Sequence, residues 1–198
     1  MRGLIVMIAT LVLASPALAG SDSVYTDFNL ENKNACAYIG TEDPEAEGSS
    51  VGPIQCDGYK DYAVTFAEGD LRSFVSFSTK VGDQCSFRQT FGGFNSVGKK
   101  IEWRLKDSVP IATIFRWTVS YDSAHTEKTK DWLVVTKLGD GNSCHIGYVE
   151  GGYPKANEKA RWLADTAAEA FSCKDGIPIF FAKPGTATEN ITSGGCDH

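Results

Sequence analysis

Six cysteines stand downstream of what reads as an export leader, and that combination limits the fold more than anything else in the chain. Met1-Arg2 precedes an apolar run from Leu4 to Leu13, which ends in Ser15-Pro16-Ala17-Leu18-Ala19. A basic start, a short apolar core and a small-residue cleavage site are the three parts of a secretory signal peptide. A membrane anchor is disfavoured, because a spanning helix needs about 20 apolar residues. Residues 1–19 are therefore expected to be removed and the mature chain to reach the periplasm or the medium. In an oxidising compartment Cys36, Cys56, Cys85, Cys144, Cys173 and Cys196 are expected to pair as disulfides.

The sequence does not by itself choose the connectivity. Neighbour pairing is the simplest expectation. Cys36 with Cys56 would close the acidic loop holding Glu42, Asp43, Glu45 and Glu47, and Cys144 with Cys173 would tie a strand to the end of a helix. Cys85 and Cys196 remain, either as a third bridge or as reactive thiols, and the bridge is the favoured expectation. No metal site is expected, since no C-x-x-C spacing occurs and Cys144 and His145 project to opposite faces of a strand.

Strand-like alternation dominates the region after the leader. Val24, Thr26, Phe28 and Leu30 share one face, as do Tyr62, Val64 and Phe66, and a turn at Glu68-Gly69-Asp70 leads to Leu71, Val75 and Phe77. Ile101, Trp103 and Leu105 alternate with Glu102, Arg104 and Lys106, which predicts one core face and one solvent face. A long strand follows from Pro110 to Tyr121. Trp132 to Leu138 is apolar on both faces and is expected to be central, and a Gly-Asp-Gly-Asn turn leads to Cys144 to Val149.

The period changes once. Ala156, Ala160, Leu163, Ala164 and Ala167 recur at spacings of three and four behind Pro154, predicting an amphipathic helix whose small residues pack closely on the sheet. A short strand, Ile177 to Ala182, precedes a polar tail, 183–198. The expected fold is α+β, one domain over 20–182: a mainly antiparallel β-sheet with one C-terminal amphipathic helix packed on it, stapled by disulfides. A β-sandwich or barrel with a peripheral helix is the alternative.

Charge and motifs exclude several functions. The 25 acidic residues outnumber 19 basic ones, and losing Arg2 with the leader takes the net charge from −6 to −7. Nucleic acid is not an expected partner, because binding it needs clustered Lys and Arg. An acidic surface instead favours cationic partners, most directly at the loop between Cys36 and Cys56. No G-x-S-x-G elbow, phosphate-binding glycine loop or EF-hand spacing occurs, so no cofactor is expected.

Three groups remain as candidates. Arg72, Glu102, Arg104 and Arg116 each lie on the polar side of a strand, and on neighbouring strands they would form a charged strip able to hold a carboxylate or a partner's acidic edge. The Gly82–Gly98 stretch carries Phe87, Phe91 and Phe94 among glycines, a composition suited to recognition or to folding onto the core. His145 is the histidine expected on a rigid element, whereas His125 lies in a polar turn and His198 at the end of the tail. The carboxylates Glu68 and Asp70 flank a glycine turn.

The phrases Tyr25-Thr26-Asp27-Phe28-Asn29-Leu30, Cys56-Asp57-Gly58-Tyr59, Glu68-Gly69-Asp70-Leu71-Arg72, Ile101-Glu102-Trp103-Arg104-Leu105 and Cys144-His145-Ile146-Gly147-Tyr148-Val149 resemble a group of small exported alphaproteobacterial proteins without an assigned activity. The resemblance implies that Cys36, Cys56, Cys144 and Cys173 are the shared set and that Cys85 and Cys196 are additional. It carries no catalytic residue across. The expected function is non-catalytic binding of a protein or envelope ligand, with a cationic partner among the options. The alternative is an envelope hydrolase using His145 or a carboxylate pair.

Overall fold

Alternating apolar residues become paired strands along most of the chain. The computed structural model describes residues 21–40, 51–80, 84–139, 142–188 and 196. The expected signal peptide, the acidic loop 41–48, Asp140-Gly141, Asn190 and His198 lie outside the described residues. The elements are β1 (Asp22–Asp27), β2 (Cys36–Tyr38), β3 (Val51–Asp57), β4 (Ala63–Gly69), β5 (Arg72–Ser78), α1 (Cys85–Arg88), β6 (Asn95–Lys106), β7 (Val109–Ser120), β8 (Thr129–Lys137), β9 (Cys144–Glu150), α2 (Ala156–Ala167) and β10 (Ile179–Phe181).

They form a six-stranded sheet, β1-β6-β7-β8-β9-β10, and a four-stranded sheet, β2-β3-β4-β5. Pairing is antiparallel except at β10, which runs parallel to β9. The parallel pair follows from connectivity, since α2 is the crossover that brings the chain back to the sheet in the same direction. Two hairpins turn on residues with positive φ, Asp70-Leu71 and Asp107-Ser108, the turn twist that matches right-twisted strands. The first of these therefore turns at Asp70-Leu71 rather than at Glu68-Gly69-Asp70.

The larger sheet is covered on both faces. On one, Phe28, Trp103, Phe115, Trp117, Trp132 and Tyr148 meet Val64, Phe66, Val75 and Phe77 of the smaller sheet. Phe77 stands edge-on to Trp103 and Phe115, with centroids 5.6 and 6.4 Å away, a favoured aromatic geometry. On the other, Ala112, Ile114, Leu133, Val135 and Ile146 pack under Ala156, Ala160, Leu163 and Ala164 of α2. The molecule is thus α+β, a disulfide-stapled antiparallel sandwich carrying its long helix outside, so the sheet is not open. Gly147 marks a close approach of α2 and β10 to β9. A Cβ there would come within 2.6 Å of the Ile179 carbonyl and would also strike Leu163.

Double coverage overturns the solvent face expected on β6. Glu102 and Arg104 are 8% and 5% exposed, because α2 lies across them. Arg104 forks onto Asp165 with Nε to Oδ1 at 2.9 Å and Nη2 to Oδ2 at 2.7 Å, and Arg161 Nε donates to Glu102 Oε1 at 2.6 Å. Ser23 of β1 donates to Glu102, and Arg104 also donates to the Ser21 carbonyl at 3.0 Å. Opposite charges alternate across this lattice, which offsets the cost of burying them.

Three disulfides join Cys36 to Cys56, Cys144 to Cys173 and Cys85 to Cys196. No described cysteine is free. No helix among the described residues is long and apolar enough to cross a membrane.

Candidate functional site

The residues singled out from sequence scatter. Glu102 and Arg104 lie in the lattice under α2. Arg116 shares their face of the larger sheet but bonds Asp131 of β8 at 3.2 Å. Arg72 belongs to the other sheet and pairs with Asp70 of its own hairpin at 2.6 Å. The four residues form no exposed charged strip.

His145 is 2% exposed and lies inside the sandwich. An irregularity in the β8–β9 pairing falls between Thr136–His145 and Val135–Gly147, leaving Ile146 as the extra residue. The bulge puts His145 and Tyr148 on the same face although they are three apart, and His145 Nδ1 shares a hydrogen bond with the Tyr148 hydroxyl at 2.9 Å. Burial lowers the imidazole pKa to about 3, so the ring is neutral at ordinary pH. Its backbone N–H donates to Gln89 Oε1 at 2.7 Å, and that of Ser143 to Gln84 Oε1 at 2.9 Å. The two glutamines serve the part of β9 that lies beyond the reach of short β10.

The aromatic loop divides its phenylalanines. Phe87 packs near Phe74, Phe91 enters the core against Trp117, Trp132 and Tyr148, and Phe94 remains 40% exposed. Phe94 lines a half-open cleft of about 620 Å3 at one end of the sandwich. Three segments wall it: 91–94 before β6, 119–126 leaving β7, and 185–187 after β10, with Lys130 and Trp132 of β8 beneath. Tyr121, 59% exposed, is its other exposed aromatic, and the Lys130 ammonium lies 5.2 Å from that ring's centre.

One polar side chain fixes each wall. Asn95 Nδ2 donates to the Gly93 carbonyl at 2.8 Å, while its Oδ1 accepts the Ser73 N–H at 3.0 Å. Asp122 Oδ1 accepts the N–H groups of Ala124 and His125 at 3.0 and 3.2 Å, an Asx turn, and Oδ2 accepts Lys128 at 3.0 Å. Glu150 Oε2 accepts the Lys183 N–H at 2.7 Å and the Thr186 hydroxyl at 3.0 Å, and Oε1 faces Lys130 at 3.3 Å. Burial alone would raise the Glu150 pKa; the Lys183, Thr186 and Lys130 donors bring it below the ordinary value. Glu150 thereby fastens part of what sequence suggested was only a polar tail.

Tyr121, Lys130, Glu150 and Thr186 were not among the sequence candidates. Of the sequence candidates, the aromatic loop is the one that lines the cleft, through residues 91–94. A second cleft, about 580 Å3, opens where Asp27, Phe28, Glu31, Phe66, Glu68 and Lys99 meet. Among the described residues no group of His, Cys, Asp or Glu is placed to hold a metal. The fold and site define a disulfide-bonded β-sandwich with a peripheral helix and an aromatic end cleft. No family model matches the chain, and no curated protein or solved structure shows significant similarity to it.

Proposed function

We propose that this chain is an exported, non-catalytic binding protein that takes its ligand in the end cleft. The observation that carries the reading is the convergence of exposed Phe94 and Tyr121 with hydroxyl and amide groups in one concavity, the composition of a recognition site. Burial of His145 in the core supports binding over hydrolysis, because a general base must reach the proton it removes. Pairing of Asp70 with Arg72 in a hairpin turn gives that carboxylate a structural task. The three disulfides are compatible with export.

The test is photocrosslinking in intact cells with a reactive side chain placed at position 121 or, as control, at exposed position 33. A discrete adduct at 121 alone is expected. Adducts at 33 only would refute the cleft as the binding surface. A cationic partner is the second reading, favoured by Asp27, Glu31 and Glu68 around the second cleft. It requires an adduct at positions near Glu31 that weakens with salt.

A further inference from the structure

The end cleft carries no unmatched charge. Asp122 and Lys130 are the ionic side chains in its lining, and each is already paired, Asp122 with Lys128 at 3.0 Å and Lys130 with Glu150 at 3.3 Å. A charged ligand would have to displace one of these partners, whereas a neutral one need not. The lining otherwise offers the rings of Phe94 and Tyr121, the hydroxyls of Ser123 and Thr126, and backbone at Gly92 and Gly185.

The edges of the two sheets are β1 and β10, and β2 and β5, and none of these strands lines the cleft. An extended peptide therefore finds no edge strand there, and where β8 runs past β9 the Asp131 carbonyl already accepts the Gly151 N–H at 2.7 Å; joining a ladder is how such segments usually gain affinity on β-rich proteins. The volume, about 620 Å3, falls within the roughly 300–1,000 Å3 of sites for small ligands. A pyranose ring meets every one of these conditions. Its axial C–H bonds present an apolar face to an aromatic ring, its hydroxyls bond neutral donors and acceptors, and it carries no charge.

Resting on the cleft as the binding site, we infer that its ligand class is a neutral saccharide, stacked on Tyr121 or Phe94 and bonded through its hydroxyls to the 120–126 turn. Thr186 and Gly185 close the site from the other side, so Glu150, which holds Thr186 and the Lys183 N–H, is a positioning residue for the same ligand.

The experiment is titration of the mature, oxidised protein with three neutral trisaccharides, of β-linked N-acetylglucosamine, β-linked glucose and α-linked glucose, against anionic trigalacturonate. Amide NMR shifts and the tryptophan fluorescence to which Trp132 contributes are the readouts. Saturable binding of at least one neutral probe below about 10 mM is expected, with shifts confined to 91–94, 119–132 and 185–187. Tyr121→Ala with Phe94→Ala should weaken it roughly tenfold or more. Both side chains are exposed, so an unchanged amide spectrum elsewhere verifies the fold. Glu150→Gln should weaken binding while leaving Tyr121 and Phe94 in place, and Arg72→Ala, in the other sheet, should have no effect.

Absence of saturable binding by any neutral probe, preference for trigalacturonate, or full binding by the double variant would each overturn the inference. Photocrosslinking separates this from the broader reading. A protein adduct at position 121 together with silent sugars would overturn the saccharide and keep the cleft. Silence in both would overturn both.

Discussion

Arg104 is the residue whose removal should most damage this fold without touching the cleft. Its guanidinium is almost fully buried and forks onto Asp165 with bonds of 2.9 and 2.7 Å, while also serving Ser23 and the Ser21 carbonyl. Arg104→Met keeps the apolar stem and deletes the charge. Asp165 then loses its cation, and Glu102 keeps only Arg161. Breaking a buried pair by removing one partner costs about 3 to 5 kcal/mol. The Asp165 side chain is still 26% exposed, which lets water recover part of the loss and sets the expectation near the lower figure. For a chain of this size about 3 kcal/mol corresponds to a fall in Tm of roughly 6 to 12 °C.

The partner variant makes the reasoning sharper. Arg104→Met with Asp165→Leu removes both charges and should lie within about 1 kcal/mol of wild type, since apolar replacement of a buried pair is often neutral. Urea denaturation of the oxidised protein, residues 20–198, followed by near-ultraviolet circular dichroism, measures both. An Arg104→Met midpoint indistinguishable from wild type would refute the lattice as a fastening between α2 and the sheet. So would a double variant that is less stable than Arg104→Met.

Two further outcomes follow from the interior. His145 has a folded pKa near 3, below its ordinary 6.5, so its contribution is complete above pH 6.5 and is lost as pH falls toward 3. The stability of wild type relative to His145→Phe should therefore decline by about 1.4 kcal/mol per pH unit over that interval; a flat difference would place the imidazole in solvent. Gly147→Ala should lower stability by about 1 to 3 kcal/mol, because the added methyl meets the Ile179 carbonyl and Leu163, and an unchanged urea midpoint would mean that α2 and β10 sit farther off.

Much of the fold is legible in the sequence because period reports one face well. Ile101, Trp103 and Leu105 announce a buried stripe, and the Ala156–Ala167 pattern announces a helix that can come close. The opposite face of β6 is not legible from β6 alone. Glu102 and Arg104 have the same spacing whether water or a helix covers them, and the complement, Arg161 and Asp165 one turn apart on α2, becomes meaningful only once the two elements are superposed. Strands β2 and β3 escaped for a different reason. One has three residues, and the other carries Gly52-Pro53 behind its first residue, which reads as loop.

The cleft was legible only in part. Glycine beside Phe91 and Phe94 marks a loop with recognition chemistry, but which ring enters the core depends on the space left by Trp117 and Trp132. Glu150 lies far in sequence from the walls formed by Phe94 and Tyr121. Its role arises because the chain returns through α2 and β10 and passes over it.

The Cys85–Cys196 bridge sets an order of events in biosynthesis. Chains are made from the N-terminus, and Cys196 is the last of the six cysteines to appear. Cys144 and Cys173 both become available to Cys85 before its native partner does, whereas Cys36 meets Cys56 as the next cysteine along. An oxidase that joins cysteines in order of appearance would strand Cys85 on Cys144 and leave Cys173 and Cys196 to each other. Correct maturation thus depends on early strand pairing that hides Cys85, or on an isomerase that rearranges the first products. The yield of native protein is accordingly a question of host machinery as well as of sequence.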